Sequence, residues 1–425
     1  MLAFIATMDV EEQIYACAGL LVGGFLVNGE PGRKRRCTWT EDWLLRRENY
    51  GSYYTLHREF RLQEKLFNKY LRIPIPIYDY ILDKITPLIM KDDLHMRQTI
   101  PPGARFEATL LYLINGDYYS RLQHLTRIHE TTLGRFIPEV CEAIYSALGR
   151  EFIALPSTPE QWLQVAKDFE IRWNFLHCIG AVDGKHIEIA PPPESGSYYY
   201  NYKGKTSVVL LAVINSNYEI MYADVGGNGR ISDGGIWGNC SLRRLIDEGR
   251  AGLPEDSILP NSTRKLPFVF VGDEAFPLRR HFMKPYPHRR QNHQQRIFSY
   301  RLSRARRISE NAFGIMAQRF GILRKAINLA PAKVEKIILA IITLHNLLRK
   351  LGSNEYLSAA SVDSEDLENG IIEEAAWRST PQLLPLQQQR FGNATLDAKQ
   401  VREQFTEYFI NEGQTSFQRR MAGLE

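Results

Sequence analysis

Residues 206–215 read Thr-Ser-Val-Val-Leu-Leu-Ala-Val-Ile-Asn. An apolar run this continuous, β-branched and closed by Asn215-Ser216-Asn217, is the pattern of a buried strand. Ile179 to Ala190 precedes it as a second strand, apolar around one central Asp. Glu219 to Val225 follows the turn as a third. Short turns between three successive strands predict antiparallel hairpins. Gly226 to Arg230 is a glycine-rich loop, and Ser232 can cap a helix from Gly234 to Glu248. Pro267 to Gly272 reads as a fourth buried strand, and a crossover helix before it predicts a parallel neighbour. Helices from about Ser299 to Phe320 and from Lys333 to Lys350 come next. The second of them carries a wide apolar stripe through Val334, Ile337, Ile341 and Leu348 that packs on a sheet. The fold class is α/β: a mixed sheet flanked by helices, preceded by an all-helical N-terminal region.

The chain's 425 residues suit two or three domains at roughly 150 residues each. With 44% hydrophobic and 24% charged residues, a wholly disordered chain is excluded. The longest apolar run, Ala16 to Val27, falls short of the ~20 residues that cross a bilayer, so no membrane partner is expected. Glu11 and Glu12 precede that run, against a secretory leader. Five widely spaced cysteines fit neither a disulfide framework nor a cysteine zinc site, and point to a reducing compartment. Residues 1–90 read as a helical and basic segment. Its cluster Arg33-Lys34-Arg35-Arg36 is either a solvated loop or a nuclear-import patch, and a nuclear location is expected, with a cytoplasmic pool. Residues 91–170 form a helix-turn-helix-like region, for which a plain helical bundle is the alternative. Thr131 or Thr132 can cap its last helix, which Pro138 should kink or delay. Residues 171–350 hold the sheet. Residues 351–425 read as a polar, partly disordered tail with a short amphipathic helix at 398–410.

The chemistry lies in the acids. Asp183 sits inside an apolar strand, where a carboxylate is costly unless paired or metal-bound. Asp273 directly follows the fourth strand, and strand ends are where sites assemble in α/β sheets. Glu310 lies on the long helix beside Ile308, Ala312 and Phe313, so its part of the helix faces the protein. Asp233 stands at the start of the crossover helix. Each has a plain structural reading: a helix-terminal charge for Asp233, a turn cap for Asp273, and an ion pair with Arg306 for Glu310. Together, on successive elements of this topology, they give an RNase H-like arrangement. Converging carboxylates suit hard divalent cations, Mg²⁺ first and Mn²⁺ next, which can promote phosphodiester cleavage.

From Arg279 to Arg307 there are ten Lys or Arg residues and no acid, whereas Asp363 to Glu374 holds six acids and no base. Contact with DNA phosphates is the functional reading of the first run, through Arg289, Arg290, Arg296, Arg301, Arg304, Arg306 and Arg307. A solvated surface is the plain one. His281, His288 and His293 read as phosphate-facing or structural.

The motifs Cys178-Ile-Gly-Ala-Val-Asp183-Gly-Lys-His186, Tyr199-Tyr-Asn-Tyr-Lys-Gly204 and Val225-Gly-Gly-Asn-Gly-Arg-Ile-Ser-Asp233 resemble those of PIF/Harbinger transposases and transposase-derived nucleases, a branch of the DDE endonucleases. So do Gly272-Asp273-Glu-Ala-Phe-Pro277, Tyr300 to Gly314 around Glu310, and Leu344-His345-Asn346. The resemblance covers 175–350 strongly and the helices of 90–150 more weakly. It implies a metal-dependent DNA endonuclease with catalytic Asp183, Asp273 and Glu310, and Asp233 as a fourth metal ligand. Either Asp233 or Asp273 could be the second triad acid; topology favours Asp273. Related transposases often carry Lys seven residues after the Glu. Here that position is Ala317, and Arg319 is the nearby substitute for phosphate contact. The resemblance also implies a separate Myb-like DNA-binding partner. A homo-oligomer is a further expectation that the residues leave open. Two other functions compete: a domesticated, catalytically silent DNA-binding or chromatin-associated protein, and an RNase H-like enzyme acting on RNA.

Overall fold

The computed structural model describes residues 41–92, 99–230, 233–289, 291–352, 356–357, 359–386 and 394–424. It forms two compact units, Met1–Arg46 and Arg47–Glu425. In the first, the described residues hold one helical turn, Asp42–Leu45. The apolar run 16–27 and the basic cluster 33–36 lie outside the described residues. Among the described residues no helix is long and apolar enough to cross a membrane.

After three short helices, Arg47–Tyr50, Leu56–Phe60 and Glu64–Leu71, the second unit continues with helices α1 (Ile75–Ile89), α2 (Pro102–Asn115), α3 (Tyr119–Thr126), α4 (Glu130–Phe152) and α5 (Pro159–Trp173). Proline in its first turn starts α2 where a missing N–H costs nothing. Gly116 ends it in the left-handed region at φ 61°, and a Cβ there would strike the backbone of Ile322. The expected caps of α4, Thr131 and Thr132, are replaced by His129, whose ring accepts from the Thr131 N–H. Pro138 lies inside α4, which continues past it to Phe152. Helix α2 is buried from Gly103 to Ile114. One hydrophobic core runs from these helices into the sheet region.

A buried charge anchors this bundle. Glu107 is 1% exposed, pairs with His57 Nδ1 at 2.7 Å, and accepts from Ser52 Oγ at 2.5 Å. Truncating one member of a buried pair strands the other, at about 3–5 kcal/mol. Glu107→Ala is therefore expected to shift the urea midpoint down by that equivalent. An unchanged midpoint would contradict the assignment.

The sheet is built from β1 (Cys178–Glu188), β2 (Ser207–Ile214), β3 (Ile220–Asn228), β4 (Val269–Val271) and β5 (Phe282–Met283), in the order β3-β2-β1-β4-β5. The first three are antiparallel neighbours, and β4 runs parallel to β1. All residues of β2 are buried. Val208, Leu210, Ala212 and Ile214 join one core, and Val209, Leu211 and Val213 join a second on the opposite face with Trp162, Trp237 and Phe270. A strand clad on both faces explains the unbroken apolar run. The crossover helix is split in two, α6 (Asp233–Asn239) and α7 (Ser241–Asp247). Cys240 breaks it with extended backbone and caps α7 through its sulfur.

Helix α8 (His293–Arg319) starts six residues earlier than the sequence pattern suggests, because Asn292 and Gln295 form a capping box. Helix α9 (Pro331–Leu351) follows. In the C-terminal region the short helix expected at 398–410 is present, two residues longer at its start, whereas Gln387 to Gln389 lie outside the described residues. Helix α10 (Leu396–Ile410) buries Phe405, Tyr408 and Phe409, and two of its rings meet Phe175. Before it, a short antiparallel ladder pairs 364–366 with 371–373, and a two-residue strand, β6 (Leu384–Pro385), joins the main sheet on β1.

Candidate active site

Side chains two apart on a strand share a face. Asp183 and Lys185 therefore point together from β1, on the side where Ala181 and Ile187 meet the core shared with α8. Asp183 is 3% exposed, and Lys185 Nζ stands 2.8 Å from its Oδ2. That oxygen is buried and has no aligned hydrogen-bond donor among the described residues. Asp273 follows β4, the parallel neighbour of β1, and its Oδ1 accepts from the Ala275 N–H at 2.9 Å. Glu310 reaches in from α8. All three acids line one cavity of about 300 Å³, together with Lys185, Arg306 and Arg378.

The charges there are tightly matched. Burial pushes the Asp273 carboxyl up, and the nearby Asp183 charge adds to this. Burial alone would raise Glu310 as well, but Arg306 and a hydrogen bond from Arg378 outweigh it and hold the carboxyl at about 2. Its Oε1 accepts from Arg306 at 2.5 Å and its Oε2 from Arg378 at 3.1 Å. A carboxyl lowered from 4.5 to about 2 gives stability that is present above the first value and lost as pH falls toward the second. The Tm gap between wild type and Glu310→Gln should close over that window. A gap that does not change with pH would show that the pairing is not a charge effect.

Residues 182–346 match the family model of the DDE superfamily endonucleases. Over that segment the chain is similar to this family. HARBI1 of Homo sapiens is 26% identical over 265 residues, which cover 61% of this chain and 71% of that protein. HARBI1 of Xenopus laevis is 21% identical over 277 residues, covering 64% and 75%. No solved structure matches. The DDE match spans the first strand acid to Asn346, and so takes in Asp183, Asp233, Asp273 and Glu310.

The structure brings Asp183, Asp273 and Glu310 to one cavity. Asp233 opens α6, and its side chain lies outside the described residues, as does Arg290. The basic run needs correction. Arg301 is 1% exposed and donates to the Asn174 carbonyl and to Gln418 Oε1. Arg304 and Arg307 both pair with Glu365, and Arg304 also donates to Asn174. These three are spent inside the fold, Arg304 and Arg307 on Glu365 of the acidic stretch and Arg301 on Asn174 and Gln418. Arg306 belongs to the cavity. Arg296 is exposed but donates to the Ala422 and Gly423 carbonyls. Arg289 is exposed. Arg319 donates to the Arg72 carbonyl and lies over the Tyr356 ring, so it does not stand in for the missing lysine. His281 is structural, with Nδ1 on the Phe268 carbonyl at 2.9 Å.

Lys185 and Arg378 were not foreseen. Lys185 is legible from strand periodicity, two residues beyond Asp183. Arg378 comes from 68 residues beyond Glu310 and carries no local signal. The donor set, three carboxylates with one buried oxygen met only by the Lys185 ammonium, has the chemistry for a hard cation. In this arrangement, though, no three His, Cys, Asp or Glu among the described residues stand close enough to hold one ion. Cationic side chains hold Glu310 instead.

Proposed function

We propose that this chain is an endonuclease that hydrolyses DNA phosphodiester bonds at the Asp183–Asp273–Glu310 cavity. The observation that carries the reading is the meeting of three acids from β1, the end of β4 and α8 in one cavity, within a segment that matches an endonuclease family. The relatives' name, which contains the word nuclease, agrees with it. Asp183, Asp273 and Glu310 would hold a divalent cation, Mg²⁺ ahead of Mn²⁺. Such an ion supplies charge stabilisation at the phosphoryl group.

The chain's own residues do the rest. Lys185, beside Asp183 in the cavity, is placed to meet a phosphate oxygen. Arg306, on the rim of the same cavity, fixes the neighbouring backbone. A nuclear site of action, a separate Myb-like DNA-binding partner and self-association belong to the same proposal. The ion pairs that hold Glu310 favour one second reading, a catalytically silent DNA-binding protein.

Incubation with supercoiled duplex DNA and with RNA, each in Mg²⁺, separates the readings. Nicking of DNA with RNA left intact is the expected outcome. RNA cleavage alone would transfer the chain to the ribonuclease reading. Intact DNA in both Mg²⁺ and Mn²⁺ would favour the silent protein.

A further inference from the structure

Strand β1 is longer than the neighbour on one of its edges. Strand β2 pairs with it from Ala181 to Glu188, but on the other edge β4 ends its pairing at Ala181. The edge beside Asp183 is therefore left to something else. It is taken by β6, which sets Leu384 opposite His186 and Pro385 opposite Lys185. The segment leading to β6 lies over the cavity and lines it with Trp377, Arg378, Thr380 and Gln382.

Its attachment is specific. Asp363, with its side chain fully buried, grips Arg378 at 2.8 Å and 2.5 Å and so aims the guanidinium at Glu310. Asn311, next to Glu310 on α8, accepts from the Trp377 indole at 3.2 Å and from the Asp363 N–H at 3.1 Å. Trp377 rests on Gly314, one turn further along, where a Cβ would come within 2.1 Å of the ring. Glu365, in the same segment, binds Arg304 and Arg307. A carboxylate thus sits on the arginines of α8, and a guanidinium sits on an acid of the cavity. These are the charge signs of a nucleic-acid phosphate and of a metal ion, respectively.

We propose that residues 363–386 are an autoinhibitory strap that supplies the site with its own counter-charges and must lift for a divalent cation and DNA to enter. The proposal rests on the nuclease reading of the cavity. Lifting exposes Glu310, Arg304 and Arg307 together, so cation and DNA each favour the state that the other needs.

Calorimetric Mn²⁺ titration tests this on the full chain as wild type, Arg378→Ala, Arg378→Lys and Gly314→Ala. The glycine variant pushes Trp377 away without touching an acid, and alanine is the better helix former at that position. Arg378→Ala and Gly314→Ala are expected to bind Mn²⁺ about 10-fold tighter than wild type, a common size for such coupling. Arg378→Lys stays near wild type. In parallel, hydrogen exchange is followed at the amides of Ala375, Arg378 and Thr380, which bond to Asp363, Ala375 and Trp377. Mn²⁺ with duplex DNA should speed their exchange in wild type by about 10-fold. Equal Mn²⁺ affinity in wild type and both loosened variants overturns the strap, and so does exchange that stays unchanged when metal and DNA are added. If no variant binds Mn²⁺ while wild type nicks DNA, the strap fails alone. If there is neither binding nor nicking, the nuclease reading fails with it.

Discussion

Asn346→Leu is expected to lower stability by at least about 3 kcal/mol. The side chain is fully buried on α9, where three elements meet. Its Nδ2 donates to the Phe152 carbonyl at 2.7 Å and to the Ile220 carbonyl at 2.7 Å, and its Oδ1 accepts from the Ile220 N–H at 2.9 Å. One amide thus serves the end of α4 and the start of β3. Leucine fills a similar volume but leaves three buried backbone groups without partners, at about 1–3 kcal/mol each. The gain from a larger apolar side chain does not offset that loss. Guanidinium unfolding reads the effect as a lower midpoint at constant slope. A midpoint equal to wild type would show that those backbone groups find other partners. Neighbouring His345 plays a similar part, with Nε2 on the Tyr218 carbonyl and Nδ1 against the Tyr356 hydroxyl. The motif Leu344-His345-Asn346 therefore acts as a structural clamp on the sheet rather than as part of the chemistry.

Much of the sheet is legible in the chain because its signals are local. The apolar run of β2 needs cladding on both faces, and the turns around it leave only hairpins. The acids of the cavity are legible for a related reason: a carboxylate within or just after a buried strand is out of place unless it is used. The fate of the arginines is not legible in the same way. Arg304 and Arg307 resemble a phosphate-binding run until the acidic stretch 363–374 is laid against α8. That contact joins residues about sixty apart, which no periodicity marks. The same holds for α10. Its aromatic face is visible in the sequence, but its partners Phe175 and Phe298 lie far upstream. The helix is expected from its amphipathic pattern, but what its aromatic face packs against is not.

The central claim is that Asp183, with Asp273 and Glu310, cleaves DNA. Asp183→Asn keeps the shape of the side chain and removes its charge. It should leave the fold intact, because the neighbouring Lys185 is 13% exposed and can reach the cavity opening. Removing one electrostatic group of a catalytic site costs roughly 10²–10³-fold in rate, and a charge central to the site belongs at the upper end. The most direct measurement is the initial rate of supercoiled plasmid nicking in Mg²⁺ by wild type and by Asp183→Asn, with matched circular dichroism. The expected result is nicking by wild type and a rate about 10³-fold lower in the variant. Equal nicking by the two folded proteins would place the activity elsewhere and contradict the assignment.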